Sequence, residues 1–271
     1  LSRGLGDVYK RQLLFIAAFG AGFVDSVAGG GGLIQVPALF AIYPNANPAT
    51  LLGTNKLGSI GGTLIAAKRY LKVVKLPYFI VIPAIVAAFI GSFSGAAVVK
   101  SMSADVFRVL LPIILIGLLI YTIKQPSMGI AHAPVVDGRK KIVHALLLGG
   151  TVGFYDGFFG PGTGSFLLIG FIRIFGFDFL HASAATKLVN VATNFAALLL
   201  FASFGHIAWQ IGFAMMGLNI AGSILGSHYA MRHGNTFIRK VFVGVVAALI
   251  LKTVFDACLL YTSPSPRDRQ K

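Results

Sequence analysis

The chain has 271 residues, of which 56% are hydrophobic and only 11% charged, and its mean hydropathy is +0.83. Soluble domains carry about 25% charged residues, and no water-soluble core of this size could hide so much apolar surface, so the solvent must be lipid. The formal charge of +15 does not point to nucleic acid: the basic residues fall between apolar runs, as in the cytoplasmic loops of membrane proteins, and there is no basic surface domain.

At the N-terminus, residues 2–12 read SRGLGDVYKRQ, and near the C-terminus 258–268 read CLLYTSPSPRD. One short DNA sequence encodes the first peptide on one strand and CLLYTSPSPR on the other, so residues 1–12 and 258–271 are read as translated adapter and left out of the fold. The single cysteine, Cys258, falls in the excluded part. Disulfides, thiol catalysis and thiolate metal sites therefore have no residue to use.

Apolar segments follow at 13–43, 51–67, 77–99, 105–123, 142–176, 182–204, 207–230 and 237–256. A helix needs about 20 such residues to cross a bilayer. The third, fourth, sixth, seventh and eighth fit one crossing each, and the second fits if it runs into Lys68–Tyr70. The first and fifth are too long for one crossing and are interrupted by GGGG (Gly29–Gly32) and GPGTG (Gly160–Gly164). The polar stretch 125–141 separates a transmembrane repeat over 13–124 from a second over 142–257. The expected fold is thus an all-α polytopic membrane protein with two tandem homologous repeats of four hydrophobic segments each.

The repeat is visible at one constant offset along the chain: Gly22 matches Gly153, Asp25 matches Asp156, Gly29 and Gly31 match Gly160 and Gly162, and Lys56 matches Lys187. Ser59 then pairs with Asn190 and Thr63 with Asn194. An Asp and a Lys that recur at the same separation in both halves are not a chance recurrence. If all eight segments cross, the loop charges divide eight against six and barely discriminate. If the glycine-broken segments are re-entrant hairpins, the division is twelve against two, which the positive-inside rule prefers. That arrangement makes the halves inverted repeats with both termini outside.

An ionised Asp or Lys at the centre of a membrane helix costs about 2.5–3.5 kcal/mol on insertion scales. Asp25, Lys56, Asp156 and Lys187 are therefore either two ion pairs that pin helices or the lining of a polar cavity, and the second reading is preferred for intramembrane charge. Consecutive glycines free backbone N–H groups that hydrocarbon cannot satisfy, so they belong where a cavity or ligand can. A half-helix restarting at Leu33–Ile34 or Ser165–Phe166 turns its first N–H groups and positive dipole end to that site, where anions bind. Close packing through small residues is the competing use of such glycines. The candidate binding set is Lys56, Lys187, Asp25, Asp156, Gly29, Gly30, Gly31, Gly32, Gly160, Gly162, Thr163, Gly164, Asn55, Asn190 and Asn194. Lys187, Asn190 and Asn194 share one helix face, although each amide alone is more often an interhelical hydrogen bond. The six histidines are scattered and form no metal set, and no HExxH or GxSxG is present.

GFVDSVAGGGGLIQVPAL, LLGTNKL and GFYDGFFGPGTGSFL resemble the sulfite exporter TauE/SafE family of membrane permeases, over 13–257 and in the same order. The resemblance implies a helical permease of the bacterial inner membrane, with multiple spans, that moves small anions, often sulfur oxyanions or organosulfonates. It brings no catalytic residues, so no enzyme activity and no cofactor are expected. Pro161 and Thr163 stand where the first cluster has Gly30 and Gly32, so the two half-sites need not be equivalent. The expected function is secondary anion transport, with Asp25 and Asp156 carrying a coupling proton; the partners are a small anionic solute and the bilayer, with homo-oligomerisation left open. The alternatives are a cation carrier that uses the aspartates and a non-transporting membrane partner subunit.

Overall fold

The computed structural model describes residues 2–100 and 140–233, with side chains over 11–99 and 140–233. The expected segments 105–123 and 237–256, nearly all of the polar stretch 125–141, and residues 258–271 lie outside the described residues. Every regular element among the described residues is a helix: α1 (Ser2–Ala28), α2 (Gly32–Ile42), α3 (Pro48–Tyr70), α4 (Tyr78–Lys100), α5 (Lys140–Phe158), α6 (Thr163–Phe175), α7 (Phe179–Ser203) and α8 (209–233). α1 starts at Ser2, inside the stretch read as adapter.

Local chemistry sets these boundaries. Asn47 caps α3 by accepting from Ala49 N at 2.8 Å, and Pro48 occupies the first helical position, where its missing N–H costs nothing. Asp178, at the matching position of the second half, caps α7 by accepting from His181 N. α3 closes with Lys68 and Arg69 in its last turn, where cations suit the negative dipole end. α6 ends at Gly176, which takes the left-handed conformation (φ 67°) and returns its N–H to Ile172 O. At 23 residues α3 is about 35 Å long, enough to cross a hydrocarbon core of about 30 Å.

The packing is turned inside out relative to a soluble protein. On α4, Phe79, Ile82, Val86, Ile90 and Phe93 recur at helical spacing and are exposed, Ile90 at 61%. Val81, Ala84, Ala88, Ser92 and Ala96, on the opposite face, are buried. An apolar outer stripe over a small and partly polar inner face suits lipid contact and close helix approach. Arg11–Ala28, Tyr78–Val99 and Phe179–Ser203 are long and apolar enough to cross a membrane, while Gly32–Ile42 and Thr163–Phe175 are apolar but short.

An extensive interface joins α4 to α5 across the middle of the chain. It is a seam of backbone on backbone: Gly153 meets Ala88, Gly157 meets Ser92, and Gly91 and Gly95 meet Gly150 and Phe154. The same seam joins α1 to α8, with Gly22 on Asn219, Gly222 on Phe19 and Gly226 on Phe23. α1 and α2 fold back on each other, so that Leu14 and Leu39 share one apolar cluster. α5 and α6 do likewise, with Gly170 against Leu148.

Candidate functional site

Both helix breaks fall at the glycine clusters. α1 ends at Ala28 and α2 starts at Gly32; α5 ends at Phe158 and α6 starts at Thr163. The half-helices thus restart one and two positions before those expected from sequence, because Gly32 and Thr163 already take helical geometry. Gly29 (φ 77°) and Gly160 (φ 93°) make the turns in the left-handed region, which suits glycine. The two breaks then touch: a methyl group on Gly29 would lie 2.5 Å from the carbonyl carbon of Gly164, and Gly32 faces Pro161 and Gly160.

Beside that contact stand the two lysines, one from each half. Lys56 lies about 12 Å into α3 from Pro48, and Lys187 lies within α7; they are 2% and 1% exposed. Each pairs with the aspartate of the opposite half. Lys56 Nζ is 2.7 Å from Asp156 Oδ2, and Lys187 Nζ is 3.0 Å from Asp25 Oδ2. The Lys56 contact is electrostatic rather than an aligned hydrogen bond, since Asp156 Oδ2 accepts none. Lys187 is held more fully: it also donates to the Asp25 backbone carbonyl, while the Thr63 hydroxyl shares its one proton between the same carboxylate at 3.3 Å and Ser59 O at 3.0 Å.

Beside these groups lies a chamber of about 30 Å³, room for one or two waters. Of the residues expected from sequence, Asp25, Gly29, Gly31, Gly32, Asn55, Lys56, Asp156, Gly160, Thr163, Gly164, Asn190 and Asn194 line it. Lys187, Gly30 and Gly162 do not. Lys187 is turned away onto Asp25, the Gly30 carbonyl closes a turn onto Leu33 N, and Gly162 caps α6 at φ 83°. Gly31–Gly32 and Thr163–Gly164 are the opening turns of α2 and α6, so the positive ends of both half-helices border the chamber.

Gln35, Ser59, Thr63 and Asn219 complete the lining. Ser59 and Thr63 are repeat-matched positions, but Gln35 and Asn219 carry no repeat signal: their counterpart positions in the other half hold Phe166 and Ala88. The sign that could have found them is a lone amide within an otherwise apolar membrane helix. Among the described residues no group of three or more His, Cys, Asp or Glu is placed to hold a metal. His181 belongs to the α7 cap, its Nδ1 2.9 Å from the Asp178 carboxylate.

Apolar faces turned outward, and charge and amide groups gathered around an interior chamber, define a helical membrane protein. The family model for sulfite exporter TauE/SafE matches residues 14–253, and the chain belongs to that family. It is 39% identical over 251 residues to the probable membrane transporter protein YfcA of Escherichia coli K12, covering 90% of each chain. It is 36% identical over 248 residues to a probable membrane transporter protein of Haemophilus influenzae, covering 90% of this chain and 94% of that one. With the probable membrane transporter protein ORF9 of Sinorhizobium sp it shares 38% identity over 247 residues, covering 90% and 92%. No solved structure matches the chain.

Proposed function

We propose that this chain is a secondary transporter that carries a small anion, a sulfur oxyanion or organosulfonate, across the bacterial inner membrane. The relatives named as probable membrane transporters support the class, and the family description supports the substrate type. The observation that carries the reading is that two lysine–aspartate pairs exchanged between the halves, each with its lysine buried, stand where the positive ends of two half-helices meet. An incoming anion replaces a carboxylate at a lysine and takes backbone N–H groups at Gly31–Gly32 or Gly164 as further donors. Both lysines already hold a carboxylate, so binding must separate at least one pair. Protonation of Asp156 or Asp25 weakens its hold on the lysine and so couples a proton to the movement.

The halves act as inverted repeats, each contributing a re-entrant hairpin. Support comes from contacts that recur at the repeat offset with the halves exchanged: Gly22 meets Asn219 while Gly153 meets Ala88, and Gly222 meets Phe19 while Gly91 meets Gly150. The pairing of α1 with α2 and of α5 with α6 as hairpins fits the same topology. Arg69 Nη1 donates to Ser227 Oγ at 3.1 Å and Lys141 Nζ lies 5.9 Å from the Phe79 ring centre, so α3, α5 and α8 bring their basic ends to one face. By the positive-inside rule that face is cytoplasmic. Rocking of one half against the other about the glycine contact gives alternating access.

One observation favours a second reading, a cation carrier: both aspartates line the chamber but only one lysine does. Uptake by purified protein in liposomes separates the two. Anion transport requires Lys56→Gln, at the lysine that lines the chamber, to lose uptake of sulfite, sulfate, thiosulfate or methanesulfonate; a cation carrier keeps its uptake through that change. A non-transporting subunit would move none of the four.

A further inference from the structure

Gln35 is 1% exposed, lies on the second turn of α2 and borders the chamber, and its Nε2 has no hydrogen-bond partner. A buried amide donor left unpaired costs stability, so its retention calls for an explanation. The orientation of the amide is fixed by its neighbours. Asn219 Nδ2 donates to the backbone carbonyl of Ala18 at 3.3 Å, a group that can only accept. The same Nδ2 faces the Gln35 side chain at 3.3 Å, so the atom it meets must be the acceptor Oε1. Turning the Gln35 amide over would set donor against donor. Nε2 therefore points away from Asn219, and Gly58 leaves room for it: a methyl group there would lie 2.7 Å from Nε2.

We propose that Gln35 is a specificity-determining residue of the anion site: its Nε2 donates to one oxygen of the bound anion while Lys56 holds the charge, with Asn219 as the positioning residue that aims it. This rests on the anion-transport reading above. A scaffold role for the amide pair is disfavoured because the packing of α1 on α8 and of α4 on α5 recurs at the repeat offset, whereas the pair does not: Phe166 and Ala88 occupy its counterpart positions. The chamber is thereby polarised, with this amide on the α2 side and no counterpart to it on α6, where Phe166 stands. It suits an anion presenting at least two acceptor oxygens, one for the ammonium and one for the amide.

The test is uptake of sulfite, sulfate, thiosulfate and methanesulfonate by the full chain in liposomes, with Gln35→Met and Asn219→Ala alongside the unmodified protein. Methionine keeps the length and volume of Gln35 and leaves Asn219 bonded to Ala18. The expected result for the best-transported of the four is a KM raised about 10- to 100-fold by Gln35→Met, the loss of one hydrogen bond to a charged ligand. The maximal rate should stay within about threefold, and Asn219→Ala should raise KM in the same direction by a smaller factor. An unchanged KM in Gln35→Met while the unmodified protein transports overturns the assignment alone. If the unmodified protein moves none of the four, the transport reading falls and takes the assignment with it. Should Gln35→Met not fold, the Asn219→Ala result decides: a raised KM supports the assignment and an unchanged KM overturns it.

Discussion

Removing Lys56 leaves the Asp156 side chain, 6% exposed, beside a chamber with room for only one or two waters. Stranding a carboxylate in such surroundings costs about 3–5 kcal/mol. Lys56→Met should therefore destabilise the protein by that amount, whereas Lys56→Met combined with Asp156→Asn should recover most of it, because the double change leaves no unpaired charge. The expected coupling between the two sites is about 2–3 kcal/mol. Lys187→Met should cost less, about 1–3 kcal/mol, for two reasons: Asp25 is 16% exposed, and Thr63 still donates to its carboxylate. The measurement is denaturant unfolding of the detergent-solubilised protein followed by helical circular dichroism, on the three single variants and the double. If Lys56→Met is no less stable than Lys187→Met, or if the double change costs the sum of the singles, the two halves are not joined by a coupled buried pair.

Gly29→Ala combines a positive φ with a methyl group 2.5 Å from the Gly164 backbone, so neither side can give way by rotating a side chain; folded protein should fall well below the unmodified yield on size-exclusion chromatography. Asp156→Asn should flatten the dependence of uptake on external pH, measured in liposomes with an imposed gradient, and an unchanged profile would remove Asp156 as the proton carrier. In a background with Cys258 replaced by Ser, cysteines at Lys72, Lys140 and Arg173 should react with a membrane-impermeant maleimide only from the cytoplasm. Cysteines at Asn45 and Ser203 should react only from outside; all five positions are exposed, and Arg173 labelling from outside would overturn the re-entrant arrangement.

The sequence made the membrane class legible, since its charge content admits no other solvent, and it marked both helix breaks through their glycines. It also marked twelve of the chamber-lining residues. What it could not reveal was the partner of each lysine. Asp25 and Lys56 stand at the same separation along the chain as Asp156 and Lys187, so pairing within a half and pairing across halves look the same from spacing. The choice is made by the contact between Gly29 and Gly164, which brings the hairpin tips together and carries each aspartate to the other half's lysine. Lys187 illustrates the limit of reasoning by equivalence: it matches Lys56 in position, yet the Asp25 carbonyl draws its ammonium out of the lining. Gln35 and Asn219 were hidden for the opposite reason, having no counterpart to draw attention to them.

The crossed pairs also bear on how fast cargo can pass. On the anion-transport proposal, a lysine that already holds a carboxylate on the same chain presents a visiting anion with a tethered rival. On that proposal occupancy is brief, because the rival stands ready to reclaim its partner and push the visitor out. Such a carrier, on that proposal, gives up tight capture and gains rapid release.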